Sequence, residues 1–405
     1  MLEKHFTDND FYTFTCQYYI LQTYPKAEVK YTFFDRNNSI YPGGFGDMLR
    51  REIDEWADVT ITEDELNFIG RKARWLPDWY LTYLRGYRFD PSEVAIGQKD
   101  GHLSVEVHGH HCSAIMWEMI ILSSISELLH IVNGDMDPKR YSPDDEYYRA
   151  YQKGMKAFRN GLLLSDFGTR RRFSLAQQET ALRGLIMASI DCTDSPGRLV
   201  GTSNVWLAKK YGLTPIGTMS HQIISFEECM SGVHECNHQV MKKWSDVYDG
   251  DLGIYLYDCF GDKAFFDNLS KKMAMMFAGL RVDSGDNKEQ ATKIMEKYKF
   301  LGIDPSTKQI VFSNALTIDK AIELHKWIDG RMQDSYGIGT HLMADVINHQ
   351  TAFPFPYSNI VLKLTKMRIN GWRDWLDCVK LSCDRGKTLG NDDKCAYLLK
   401  QLKTE

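Results

Sequence analysis

Two rhythms of apolar and polar positions divide the chain. Up to about residue 135, strands and helices follow one another without a fixed alternation. Phe11, Tyr12, Cys16, Tyr19 and Ile20 recur at helical spacing behind the polar run Thr7-Asp8-Asn9-Asp10, and Pro25 ends that helix. Val29, Tyr31 and Phe33 then alternate with Lys30 and Thr32, which predicts a strand leading to Asp35-Arg36. Phe45, Leu49, Ile53 and Trp56 mark an amphipathic helix, and Thr62 with Glu65 forms a capping-box pattern for the next. Asp100-Gly101 between two alternating runs predicts a hairpin. Residues 115–132 are apolar on most of a helix circumference and are expected to lie buried between layers. This mixture predicts an α+β domain.

From about residue 155 the rhythm changes. Short apolar runs at 161–164, 199–200, 214–217, 253–257, 279–282, 309–312 and 336–338 are separated by helix-length amphipathic stretches. Short buried strands between helices predict βα units and a parallel sheet, and this many in succession favours closure into a barrel. After 339, residues 360–364 form one more strand. Residues 378–382 suggest a strand pair around the polar turn Gly386-Lys387-Thr388. This tail is too short for a core of its own and is expected to return to the N-terminal domain.

Composition narrows the class. A chain of 405 residues has room for a barrel-sized domain with an appendage. A net charge of -5 gives no reason to expect nucleic acid or an acidic membrane, and no apolar run approaches the roughly 20 residues a bilayer span needs. The N-terminal Met1 to His5 stretch lacks an export-signal core, and nine scattered cysteines without a C-x-x-C pair fit reduced thiols. A cytoplasmic enzyme is expected.

The chemistry gathers behind the apolar runs. They are followed by Asp166-Phe167-Gly168-Thr169-Arg170-Arg171-Arg172, Gly201-Thr202-Ser203-Asn204, Gly217-Thr218-Met219-Ser220-His221, Asp258, Arg281-Val282-Asp283-Ser284-Gly285-Asp286, Ser313-Asn314 and Gly337-Ile338-Gly339-Thr340. In a parallel barrel these strand ends share one face. His221 would stand at a helix N-terminus, where an imidazole meets free N–H groups and phosphate is welcome. Gly337, Gly339, Thr340 and Ser313 could cradle a sugar phosphate. Asp283 and Asp286 could bind ribose hydroxyls or a substrate-borne Mg²⁺. The arginines supply forked donors for carboxylate or pyrophosphate, and Phe167 a flat face for a planar ring. Lys380 reads equally as a phosphate ligand or a surface lysine.

Two metal patterns compete with this. His108, His110, His111 and Cys112 cluster in sequence but do not share a strand face. His234-Glu235-Cys236-Asn237-His238 satisfies H-E-x-x-H, the zinc-hydrolase pattern, without an apolar flank or an obvious third ligand. No resident metal is expected.

Together with Asp10-Phe11-Tyr12, Leu213-Thr214-Pro215-Ile216, Gly279-Leu280, Gly302-Ile303-Asp304-Pro305 and Lys380-Leu381-Ser382, these motifs resemble the bacterial nicotinate phosphoribosyltransferases, in order and over nearly the whole chain. The resemblance implies an irregular parallel α/β barrel at 136–345. An N-terminal α+β sandwich domain at 1–135 would be completed by a C-terminal segment at 346–405. It implies synthesis of nicotinate mononucleotide and pyrophosphate from nicotinate and phosphoribosyl pyrophosphate for NAD biosynthesis, with ATP as co-substrate and Mg²⁺ carried on the phosphates. His221 would become a phosphohistidine and Asp283 would be catalytic. Phe167 and a partner subunit's Tyr12 would sandwich the pyridine. Thr218, Arg171 and Arg281 would hold nicotinate, while Asp283, Gly285, Ser313, Gly339 and Thr340 would take the phosphoribosyl group. Arg36, Arg170 and Lys380 could reach pyrophosphate or ATP. A homodimer with shared sites is also implied. A phosphoribosyltransferase for nicotinamide or quinolinate is the nearest rival, and a zinc hydrolase using His234 and His238 the rival from another class.

Overall fold

The computed structural model describes residues 2–369, 371–372, 374–382 and 388–402. Gly386 and Lys387 of the expected polar turn lie outside the described residues.

The N-terminal pattern folds as read. Strand β1 (Ala27–Asp35) is followed by the hairpin β2 (Val94–Lys99) and β3 (His102–His110). Asp100 and Gly101 turn it with φ of 51° and 80°, the left-handed pair a two-residue hairpin needs. Thr62 and Glu65 make both bonds of the capping box at the start of helix Glu63–Lys72. Helix Trp117–Val132 is buried along most of its length. The stretch His111–Val132 has the length and hydropathy of a membrane span, contrary to the expectation that no run comes close. With 78% of its apolar window inside the fold, it is the core helix of this domain.

Seven strands then form one parallel sheet: β4 (Leu163–Asp166), β5 (Arg198–Thr202), β6 (Thr214–Pro215), β7 (Ile254–Leu256), β8 (Gly279–Val282), β9 (Gln309–Phe312) and β10 (Gln333–Ile338). Leu164, Tyr255, Leu280, Ile310, Phe312 and Tyr336 are buried in it, which is why these strands read as continuous apolar runs. The spatial order β6-β5-β4-β10-β9-β8-β7 curls the sheet and brings the consecutive strands β6 and β7 to its two edges. No ladder joins those edges. Instead Thr218 Oγ1 donates to the Ile254 carbonyl across the seam, at 2.8 Å.

The chain crosses a short ribbon, β11 (Ile347–Asn348) with β12 (Phe353–Pro354), and returns as β13 (Ile360–Ile369) and β14 (Leu376–Asp377). Strand β13 pairs antiparallel with β1 from Ala27↔Ile369 to Asp35↔Ile360, and the N-terminal sheet becomes β14-β13-β1-β3-β2. The tail therefore completes the first domain. Residues 378–382 carry only isolated bridges, Lys380 to Leu389 and Leu381 to Phe260, rather than the strand pair expected there. The buried pair Arg172–Asp8, with both nitrogen–oxygen distances at 2.6 Å, fastens the barrel to the N-terminal arm.

Candidate active site

Helix His221–Ser231 begins at the open end of the seam, with Ser220 as its N-cap residue. His221 Nε2 lies 2.8 Å from Asp258 Oδ1, and the Lys380 ammonium sits 3.1 Å from the same nitrogen. A carboxylate can only accept and an ammonium only donate, so the two neighbours make opposite demands on Nε2. With Nε2–H donating to Asp258, the nearer partner, the ring's lone pair is left on Nδ1 and Lys380 acts through its charge alone. Ser284 holds the other Asp258 oxygen. Burial, then the charge of Lys380, push the His221 pKa down to about 4 against the pull of Asp258. Burial works to raise Asp258, but His221 and Lys380 prevail and bring it to about 2. The pair thus consists of a neutral imidazole and an ionised carboxylate at neutral pH, with the Lys380 side chain beside the ring.

Asp283 follows β8. Its carboxylate accepts from Ser313 Oγ at 2.7 Å and from Arg281 at 3.1 Å. Burial would raise its pKa, but Arg281, His221 and Lys380 hold it well below the usual carboxylate range. Arg281 also binds Ser313 and lies 5.4 Å over the Phe167 ring. Phe167 in turn covers the β10 end, where a Cβ on Gly337 would come within 2.3 Å of its ring and one on Gly339 within 2.6 Å of its carbonyl. Both glycines first make room for Phe167. Arg171 reaches Thr340 Oγ1 at 3.4 Å and Asn359 Oδ1 at 2.7 Å.

Above this face lies an excess of positive charge. Burial lowers the Arg171 pKa to about 9, with Arg170 and Arg36 adding to the effect. Arg36 is lowered by burial and by Arg170. Lys363 falls to about 8 by burial, despite Glu118 at 3.7 Å, with Arg170, Lys380 and Arg36 repelling it. The Nε atoms of Arg36 and Arg171 are buried without a partner among the described residues. Cations crowded to this degree attract an anion between them.

Several sequence expectations are relocated. Tyr12 sets its backbone and Cβ against Gly217 and donates from its hydroxyl to Glu118 at 2.9 Å. The Thr218 hydroxyl is engaged by the seam rather than pointed freely at a ligand. Asp286 is exposed, and its carboxylate caps helix Asn287–Phe300 through the amides of Lys288 and Glu289. Gly285 turns the Asp283–Asp286 loop with φ of 76°, and its carbonyl accepts from Asn314 at 2.8 Å. Arg172 serves the domain junction. His234 precedes helix Cys236–Tyr248, in a turn, so His234 and His238 do not share a helical face and the zinc-hydrolase pattern loses its geometry. Conversely, ligand atoms of His221, Asp258 and Asp283 all lie within 4.8 Å of one another, a metal-capable group that the sequence reading had not assembled.

Asp258 stands among the strand-end residues of the sequence but carries no assigned role there. Lys363, Asn359 and Glu118 were missed as site residues, and they carry no local signal.

A curled parallel sheet that presents neutral histidine, ionised carboxylates and crowded cations at its strand ends defines an enzyme of phosphorylated anions. The chain belongs to the nicotinate phosphoribosyltransferase family: the family's profile matches residues 162–405, and that of its N-terminal domain matches 7–126. A nicotinate phosphoribosyltransferase of Desulforapulum autotrophicum is 36% identical over 397 residues, 98% of either chain. One from Methanosarcina mazei is 36% identical over 405 residues, 96% of either chain. The crystal structure of nicotinate phosphoribosyltransferase from Porphyromonas gingivalis superposes with a TM-score of 0.92 at 36% identity, covering 99% of this chain and 100% of that one.

Proposed function

We propose that this protein makes nicotinate mononucleotide and pyrophosphate from nicotinate and phosphoribosyl pyrophosphate in cytoplasmic NAD biosynthesis, coupled to ATP hydrolysis through a phosphorylated His221. The observation that carries the reading is the neutral, buried His221 held by Asp258 and Lys380 beside the Asp283–Arg281 pair, under a cluster of unneutralised arginines.

The chemistry follows from charge. As pyrophosphate leaves the anomeric carbon, the sugar becomes cationic, and the ionised Asp283 stands where a carboxylate stabilises it. Arg36, Arg170, Arg171 and Lys363 neutralise the leaving group. Phe167, held flat by Arg281 and the β10 glycines, offers the stacking face for the pyridine, and Arg171 or Arg281 the fork for its carboxylate. The Nδ1 lone pair of His221 is the nucleophile toward a γ-phosphoryl group, and Lys380 remains beside the ring to balance the charge gained.

Mg²⁺ fits as a substrate-borne ion. The carboxylates of Asp258 and Asp283 are already bonded to His221, Ser284, Ser313 and Arg281, and two cations flank them, so a resident ion would be repelled until phosphates arrive with it. Once bound, it would shield the phosphate charge. The homodimer implied by the resemblance stays part of this reading, with the partner subunit's Tyr12 brought to the Phe167 ring.

The test incubates the protein with labelled nicotinate and phosphoribosyl pyrophosphate, with and without Mg-ATP, and follows mononucleotide and ADP together. Wild type should form both, and His221→Ala should lose ADP formation and the ATP stimulation. Full ATP-stimulated turnover in that variant would end the coupling scheme. Competition should leave nicotinamide the weaker ligand, since the arginines favour an anionic ring substituent, and the same assay decides between nicotinate and quinolinate.

A further inference from the structure

Cys229 lies eight residues after His221 on the same helix, and Cys378 lies two residues before Lys380. Their sulfurs are 3.6 Å apart. The Lys394 ammonium is 3.3 Å from Cys229 Sγ and is fixed there by Glu228 at 2.5 Å and by the Asp377 carbonyl at 2.7 Å. Among the described free cysteines, Cys229 alone is not fully buried. We propose that Cys229 and Cys378 are a peroxide-sensitive dithiol whose oxidation clamps the His221 helix to the segment carrying Lys380.

The two sulfurs are unequal. Lys394 and the Cys378 thiol both stabilise negative charge on Cys229, whose pKa is lowered first by the bond from Cys378 and then by Lys394 against burial. Burial pushes the Cys378 thiol well up. Cys229 is therefore the attacking thiolate and Cys378 the resolving thiol. In the first step the Cys229 sulfur attacks one oxygen of hydrogen peroxide. The O–O bond breaks, a sulfenic acid forms, and the departing hydroxide leaves as water after taking a proton. In the second, Cys378 gives up its proton as its sulfur attacks Cys229 sulfur. The S–O bond breaks and a second water leaves. Two thiols are oxidised to one disulfide and one peroxide is reduced to two waters.

A disulfide needs sulfurs about 2.05 Å apart and a constrained torsion, so closing the present gap turns both side chains and draws the helix and the 378–380 segment together. Lys380 lies two residues from that bond and touches His221 at 3.1 Å, so the displacement reaches the His221–Lys380 contact. The oxidised form should be the less active one.

The full-length protein, reduced and desalted, is titrated with hydrogen peroxide, its remaining thiols are alkylated, and the peptides are mapped by mass spectrometry. A linked Cys229–Cys378 peptide should appear at the lowest peroxide doses, in step with loss of nicotinate turnover, and dithiothreitol should reverse both. Cys229→Ser should retain activity and resist peroxide. Lys394→Met, which keeps both thiols, should cross-link at least about threefold more slowly. Sulfinic acid at Cys229 without any linked peptide would overturn the proposal. So would a link that leaves activity unchanged, or a Cys229→Ser protein inactivated as fast as wild type. If the serine variant does not fold, wild-type cross-linking by Lys394→Met is the overturning result. The linked peptide is read without assaying the reaction, so failure of the proposed activity is distinguishable from failure of this inference.

Discussion

His221 can serve phosphoryl chemistry only while its ring is neutral and correctly turned, and its immediate neighbours decide both. Asp258 fixes the proton on Nε2, while burial and Lys380 suppress the imidazolium. Asp258→Asn keeps the size but loses the charge that selects this tautomer. ATP-linked turnover should fall by roughly 10²–10⁴-fold, with phosphoribosyl transfer measured without ATP much less affected. Equal loss in both assays would assign Asp258 to the transfer step instead. A second buried histidine shows the same burial without a function. His111 stacks on Phe226 with ring centres 5.0 Å apart, neither of its nitrogens has a partner, and burial lowers its pKa to about 3. Between its ordinary value of 6.5 and that figure, the unfolded chain binds a proton the folded chain refuses. Stability is therefore lost as pH falls through this window, and is fully present above it. His111→Phe removes the penalty. Thermal unfolding at pH 5 should favour the variant by about 1–2 kcal/mol more than at pH 7.5, and an unchanged gap would show that His111 is not the titrating group.

At the scale of elements, the site is a set of strand ends, and this is why part of it could be read from the chain. Parallel strands deliver their C-terminal residues to one face, so Phe167, Asp258, Asp283, Ser313 and Thr340 announce themselves as polar residues closing apolar runs. Elements that enter from elsewhere have no such rule. Lys363 and Asn359 come from β13 and the residue before it, and their place is set by pairing with β1 across more than three hundred residues. Asp286 caps the following helix, and in sequence a carboxylate in a tight turn looks the same whether it faces a ligand or makes such a cap. The helix-forming run after it was the clue. Gly337 reads in the sequence as part of a phosphate cradle, and in the structure its lack of a side chain admits Phe167. Gly337→Ala would set a Cβ 2.3 Å from that ring and force it to move. Overpacking of this kind costs about 1–3 kcal/mol in stability. With Phe167 displaced, KM for nicotinate should rise by about tenfold or more, while KM for phosphoribosyl pyrophosphate changes little. Unchanged nicotinate kinetics would remove Phe167 from the ring-binding role.

Over the whole molecule, three stretches distant in sequence converge their cations on one place: Arg36 from the first domain, Arg170 and Arg171 from the barrel, and Lys363 and Lys380 from the returning tail. Arg36, Arg171 and Lys363 are depressed by burial and by the neighbouring positive charge, a cost that no internal carboxylate fully offsets. An anion bridging them therefore relieves repulsion between the domains as well as gaining contacts. Inorganic pyrophosphate with Mg²⁺ should raise the unfolding temperature of the protein in the absence of any other substrate. At about one hundred times its Kd the gain should be near 2.7 kcal/mol. Raising the salt from low to physiological strength should weaken it as the cluster is screened. Lys363→Met separates this from ordinary ligand binding. The unliganded variant should be as stable as wild type or more so, because one repelling charge is gone from a buried position, yet it should gain less from pyrophosphate. If the variant is instead less stable without ligand and gains as much with it, the ion pair between Lys363 and Glu118 outweighs the cluster, and the cations are held by the fold rather than waiting for an anion.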